Sequence, residues 1–117
     1  MIVVDPKSPV PPYEQVRSHY AALIARGELV AGAKLPTVRQ LAADLGLAVN
    51  TAARAYRELE ASGLIETRGR AGTVVSAQGS RAISEAVEAA KAYAIKVSAL
   101  GISSDEALGI VRAALGR

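Results

Sequence analysis

Between Lys34 and Val75 two helix-length patterns stand a few residues apart and run straight into two strand-length segments around a tip rich in Gly and Arg. Few folds accommodate that order. Thr37 followed three residues later by Gln40 predicts a capping box, in which a hydroxyl and an amide side chain each satisfy an orphan N–H at a helix start. Val38, Leu41, Ala42 and Leu45 then recur at helical spacing, and Gly46 sits where a helix can close in the left-handed conformation. Ala52, Ala53, Tyr56 and Leu59 mark a second amphipathic helix that Gly63 can stop. The runs LIET and TVVS read as a short hairpin, and its tip, Arg68-Gly69-Arg70-Ala71-Gly72, has the glycines that positive φ and close backbone approach require.

Helix, turn, helix and hairpin are the parts of a winged helix-turn-helix, a module that sets its second helix in the major groove of DNA. The run also resembles the DNA-binding domain of the GntR family of bacterial transcription regulators. That family's pattern is roughly G-x-x-L-P-[ST]-x-R-x-L-A, then A-Y-x-x-L-x-x-x-G-[LI], then G-x-G-T-x-V. It is met here by Gly32, Leu35, Pro36, Thr37, Arg39, Leu41 and Ala42; by Ala55, Tyr56, Leu59, Gly63, Leu64 and Ile65; and by Gly69 in a loop, Gly72, Thr73 and Val75. The match covers about residues 10 to 76. One departure stands at the recognition helix. The short branch of the family commonly has N-P-N-T there, and this chain has Ala48-Val49-Asn50-Thr51, which keeps only the second half.

Outside that run, IVV and then DPKSP read as an extended arm, and Pro11 and Pro12 precede a helix with Tyr13, Val16, Tyr20, Leu23 and Ile24 on one face and Gly27 at its end. Beyond the wing, Ala77-Gln78-Gly79-Ser80 reads as a hinge. Ile83, Val87, Ala90, Ala94 and Val97 then form a stripe with Tyr93 and Leu100 beside it, and Gly101 closes that helix. Ser103 with Glu106 predicts a second capping box, opening a last helix with Leu108, Val111 and Leu115 on a face. The fold class is therefore mainly α with a small β-hairpin wing: a winged helix-turn-helix over residues 1–76 with its N-terminal arm, and a helical dimerisation region over residues 77–117. With aromatics at only 3% and neither Phe nor Trp, the core must be built from Leu, Ile, Val and Ala. Small side chains bury little area each, which favours a chain that completes its core against a second copy. Ile83, Val87, Ala90, Tyr93, Ala94, Val97, Leu108, Val111 and Leu115 are the candidate dimer contacts. Two helices of this length are not expected to enclose a small-molecule pocket. Longer members of the family have an effector-binding domain in this place; the resemblance is to the shortest, YtrA-like branch, whose C-terminal helix pair serves dimerisation.

The candidate DNA contacts are Lys34, Thr37, Arg39, Asn50, Thr51, Arg54, Arg57, Arg68, Gly69 and Arg70. Arg39 lies just past the first helix start on its polar side; the resemblance makes it a DNA contact, and a guanidinium can fork onto a phosphate or a guanine edge. Asn50 and Thr51 open the recognition helix, where Asn50 also suits an N-cap, and the helix N-terminus presents N–H groups to a phosphate. Arg54 and Arg57 follow on one side of it, Arg54 the stronger candidate for the groove. Ala48, Val49 and Ala52 either pack beneath this helix or touch a thymine methyl. Arg68, Gly69 and Arg70 form the wing tip, suited to the backbone or to a narrow minor groove, although a charged hairpin tip is also an ordinary solubility device. Lys34 suits a phosphate.

A net charge of +3 agrees with a polyanionic partner without establishing one. With no Cys there is neither disulfide framework nor thiolate chemistry, and His19 is the single histidine, without companions for a metal site. No stretch has the run of about 20 apolar residues a bilayer demands, and the N-terminus lacks the pattern of a signal peptide. A cytoplasmic location is expected. No nucleophile constellation, paired carboxylates or phosphate-binding loop is present, so no enzyme activity, cofactor, membrane association or small-molecule effector is expected. The expected function is a sequence-specific DNA-binding transcription regulator, a homodimeric repressor reading an inverted repeat. Two other classes compete. A winged helix can dock proteins without DNA, against which the arginine pattern argues. A pyridoxal-phosphate fusion, known in the family, would need a site that surrounds neither Lys91 nor Lys96.

Overall fold

The computed structural model describes residues 2–116; residues 1 and 117, the outer ends of the two expected regions, lie outside the described residues. The elements are α1 (Pro12–Ala25), α2 (Val38–Leu45), α3 (Val49–Ala61), β1 (Ile65–Thr67), β2 (Thr73–Val75), α4 (Ala77–Ala99) and α5 (Ser104–Ala114), with one 3-10 turn at Gly69–Ala71. The chain is mainly helical with one antiparallel hairpin, as its pattern predicts. It divides into two compact units, and the division falls inside α4, between Ile83 and Ser84.

In the first unit α1 starts with Pro12 in its first turn and buries Val16, Tyr20 and Ile24, the i, i+4, i+8 stripe of one helix face. These pack on the inner face of α3: Ala52, Ala55, Tyr56 and Leu59, of which Ala52, Ala55 and Leu59 are fully buried. Alanine at two of the four positions lets the backbones approach closely. Tyr20 and Tyr56 meet edge to face at 6.2 Å between ring centroids. The Tyr56 hydroxyl donates a 2.6 Å hydrogen bond to the Pro36 carbonyl, tying α3 to the start of α2. Burial pushes the Tyr56 pKa far up, so the hydroxyl stays protonated and can donate.

Three local expectations need correction. Thr37 caps α2, its Oγ1 accepting from Gln40 N at 3.1 Å. The reciprocal half of the box does not form, because Gln40 Nε2 donates instead to Asp44 Oδ1 at 2.8 Å, a charge-assisted i, i+4 pair on the solvent face. Ser103 likewise accepts from Glu106 N, and Glu106 answers the Ser103 hydroxyl rather than its backbone. Asn50 is not an N-cap. Helix α3 starts two residues earlier than such a cap requires, at Val49 behind Ala48, whose extended backbone offers its carbonyl to Thr51 N and Ala52 N with no side-chain cap.

The wing is wider than its sequence suggests. β1 and β2 pair with Ile65 opposite Val75 and Thr67 opposite Thr73. Residues 32–35 then add a third edge: Gly32 N donates to Val75 O, Val75 N to Ala33 O, and Leu35 N to Thr73 O, all at 2.8–2.9 Å, with Lys34 bridging Val74. That segment reads as a connection because too few of its residues pair to leave a period-2 signal.

The hinge expected at residues 77–80 is the first turn of α4. Ser76, itself buried, holds that turn: its Oγ accepts from Gly79 N and its carbonyl from Ser80 N, while Ser76 N reaches back to Leu64 O. Gly79 is buried because a Cβ there would overlap the Gly63 carbonyl and lie 2.9 Å from Leu64 Cα. Its smallness serves packing, not flexibility. Ile83, one turn further, leans on the first unit's core.

In the second unit the Tyr93 hydroxyl donates 2.8 Å to the Ala107 carbonyl and ties α4 to α5. Ala107 is buried, Val87, Tyr93, Val97, Ile102 and Val111 are half-buried, and Ile95, Leu100, Leu108 and Leu115 are more than half exposed.

Two glycine substitutions should therefore act in opposite directions. Gly79→Ala forces backbone apart in a closed contact and should destabilise the fold by roughly 1–3 kcal/mol. Gly109→Ala, within α5 and with open space where its Cβ would stand, should be neutral to stabilising by roughly 0.5–1 kcal/mol through helix propensity. Thermal melts of the two variants beside the parent check both.

Candidate nucleic-acid interface

Burying Ala52, Ala55, Tyr56 and Leu59 leaves Asn50, Arg54 and Arg57 on the outer face of α3, all exposed. Arg54 and Arg57 line one shallow open groove with Glu58, Ala61 and Ser62. The apolar residues at the helix start separate. Ala52 packs beneath at 0% exposure. Ala48 and Val49 face outward, Val49 at 49%, so they are the two free to meet a thymine methyl. Thr51 is half-buried. Thr37 gives one lone pair to the cap and keeps its hydroxyl proton to donate. Arg39 is exposed in the first turn of α2.

The basic side chains differ in whether they are free. Arg54 lies over the Tyr13 ring of α1, its guanidinium carbon 3.8 Å from the centroid, and its Nη2 donates to Tyr13 Oη at 3.2 Å. Arg68 at the wing tip is held by Glu66, which accepts from Arg68 Nε at 2.7 Å and also from Nη2. Among the described residues, Arg39, Arg57, Arg70 and Lys34 pair with no carboxylate. Of the two arginines at the wing tip, Arg70 is thus the one without a carboxylate partner among the described residues. Gly72 follows it with φ +77° and ψ −151°, backbone essentially restricted to glycine, and the Lys34 stem runs beside Gly72. The third edge therefore brings Lys34 to the wing, which its place in the sequence does not announce.

His19 stands apart from this surface, edge-on to Tyr20 at 5.8 Å, with burial drawing its pKa down. Among the described residues no cluster of three or more His, Asp or Glu could hold a metal, and no helix is long and apolar enough to cross a membrane. Tyr13, the partner of Arg54, is not among the candidate residues that the sequence pointed to. It read as one more member of an apolar stripe, and its partner lies 41 residues away.

A winged helix-turn-helix with a basic outer face on its second helix and a basic wing defines a DNA-binding transcription regulator. The chain belongs to the gntR family of bacterial regulatory proteins, whose model matches residues 12–75. It is a regulator and not an enzyme. It is 44% identical over 105 residues to the HTH-type transcriptional regulator Rv1152 of Mycobacterium tuberculosis, covering 90% of this chain and 86% of that one. It is 47% identical over 77 residues to the HTH-type transcriptional repressor YtrA of Bacillus subtilis, covering 65% of this chain and 58% of that one. Among solved structures it resembles the DNA-binding domain of AraR in complex with operator ORX1, with TM-score 0.56 and 27% identity over 64% of this chain and 93% of that one.

The wing offers a direct test of which cations grip DNA. Each phosphate neutralised steepens the fall of log K with log salt by about 0.9. Arg70→Ala should flatten that slope by about 0.9 per bound chain and weaken specific and scrambled duplexes alike. Arg68→Ala should change it less, because Glu66 already neutralises that charge. Fluorescence anisotropy titrations at several salt concentrations read both.

Proposed function

We propose that the protein is a homodimeric repressor, acting in the cytoplasm, that reads an inverted-repeat operator with one α3 in each of two major grooves. The observation that carries this reading is the outer face of α3, where Asn50, Arg54 and Arg57 stand exposed and the two arginines line an open groove. Arg39 and Arg54 reach base edges, Thr37, Asn50 and Thr51 supply polar contacts at the helix starts, and Lys34, Arg57, Arg68, Gly69 and Arg70 meet the backbone or the minor groove. The name of the Bacillus subtilis relative, a transcriptional repressor, supports the sign of regulation.

Residues 77–117 serve as the dimerisation region in this reading. The support is an open apolar groove of about 500 Å³ between α4 and α5, lined by residues that include Ala90, Tyr93, Ala94, Val97, Leu108 and Val111. Leu108 and Leu115 stand 60% and 71% exposed. So much uncovered apolar surface on two thin helices calls for a cover, and a second copy is the cover proposed. Val87 extends the same stripe, whereas Ile83 spends its side chain on the first unit's core. No small-molecule effector is part of the proposal.

Leu108→Glu should leave the single chain folded, since the residue is already exposed, and convert a dimer into a monomer in analytical ultracentrifugation at micromolar concentration. A Leu108→Glu protein that stays dimeric would place the interface elsewhere.

Base reading and gripping separate by mutation. Arg39→Ala or Arg54→Ala should cost roughly 1–3 kcal/mol on a selected operator and relax discrimination at one position of each half-site. Equal losses on the operator, its single-base variants and a scrambled duplex would remove base readout from these two residues. A promoter–reporter fusion beside the operator, silenced by the wild type and released by Arg54→Ala, checks repression.

A further inference from the structure

Arg54 sits one helical turn before Glu58, and an exposed arginine with a glutamate four residues on has an ion pair within reach. Among the described residues it makes none. Its guanidinium instead lies on the Tyr13 ring, 3.8 Å from centroid to carbon, and gives one N–H to the Tyr13 hydroxyl. The competing carboxylate nearest Tyr13 in sequence is also occupied. Glu14 accepts from Arg17 Nε at 2.6 and 2.8 Å and from Ser18 Oγ, and this hydrogen bonding to Arg17 holds its carboxyl below the usual range.

The platform under Arg54 is itself braced. Tyr13 is the second residue of α1, directly after Pro11 and Pro12, whose rings fix the backbone where the helix begins. Gln15, two residues on, ties the arm down: its Nε2 donates to the carbonyls of Asp5 and Val10, and its Oε1 accepts from Asp5 N. The Tyr13 side chain is half-buried and packs against the core of the first unit.

A stacked guanidinium keeps its edge. Arginine has five N–H donors in one plane; one goes to Tyr13, and a ring over the guanidinium carbon leaves the others to be given elsewhere. What the ring removes is rotamer freedom, which otherwise must be lost when the side chain docks on a base.

We propose that Tyr13 is a positioning residue for DNA recognition: its ring holds the Arg54 guanidinium in a fixed plane from which the free N–H edge reads a base. This rests on the reading of Arg54 as a base contact. Specificity at that position of the half-site is then set jointly by α3 and by the first turn of α1.

The probe is a duplex selected by the wild-type protein from a randomised pool, together with its single-base variants and a scrambled duplex. Tyr13→Leu fills the same side of the core without an aromatic face. It should lower the ratio of operator to scrambled affinity by about tenfold, within the range of a desolvated cation–π contact, while leaving scrambled affinity unchanged. Tyr13→Phe keeps the face and loses only the hydroxyl, so its ratio should stay within about threefold of the parent. In an Arg54→Ala background Tyr13→Leu should add nothing. A Tyr13→Leu protein with an unchanged ratio, or with tighter binding to both duplexes, overturns the proposal; the second result would mean that the ring withholds Arg54 from DNA. An Arg54→Ala protein that discriminates as well as the parent overturns the base reading and the proposal with it. The free protein separates the two failures. The Arg54 Nε–H resonance should be shifted upfield by the ring in wild type and Tyr13→Phe and return to the ordinary position in Tyr13→Leu. An unshifted wild-type resonance overturns the stack and leaves the base reading standing.

Discussion

Everything in the DNA-binding unit depends on how α3 is seated. Its inner face is two alanines, a tyrosine and a leucine, and the alanines let α1 come close enough for Val16, Tyr20 and Ile24 to exclude water along the seam. Tyr56 supplies what four apolar residues could not, a polar tip that reaches the Pro36 carbonyl and fixes α3 relative to the start of α2. Once that face is committed, the 3.6-residue period leaves no choice about the other: Asn50, Arg54 and Arg57 must point away from the core. The recognition surface is the remainder of the packing problem.

Charge on that surface is sorted by pairing more than by number. A net charge of +3 says little. Glu14 is spent on Arg17, Glu28 on Arg26 and Glu66 on Arg68, so cations that look alike in the sequence differ in what they can offer a phosphate. The wing shows this best. Two arginines flank Gly69; one leans on a glutamate of the adjoining strand, and the other has no carboxylate partner among the described residues. Exposed pairs of this kind contribute little to stability, yet they decide which side chains remain available to a polyanion.

Beyond Ile83 the energetics change character. The first unit closes around buried Leu, Ile, Val and Ala with Tyr20 and Tyr56, whereas α4 and α5 meet along a seam in which Ala107 alone is buried and several larger side chains stay in solvent. A chain so poor in aromatic residues has little to cover those faces with by itself, which is why the second unit is proposed as half of an interface. The start of α4 belongs to the other regime. Ser76 and Gly79 bind its first turn to the segment that follows α3, through contacts with Gly63 and Leu64.

Periodicity and turn chemistry in the sequence determined all five helices, the hairpin, the stops at Gly27, Gly46, Gly63 and Gly101, and the sidedness of α3, because these depend on residues within a few positions of each other. The tertiary structure alone decided four things. Residues 32–35 form the wing's third edge, Gly79 is a packing glycine rather than a hinge, Glu66 neutralises Arg68, and Tyr13 lies under Arg54. The Arg68–Glu66 pair is near in sequence, but its geometry depends on a hairpin twist that no pattern encodes. The others join segments between 15 and 43 residues apart, and a contact of that span leaves no periodic trace. Such contacts form when two surfaces, each shaped by its own local rules, are pressed together by the burial of the core they share.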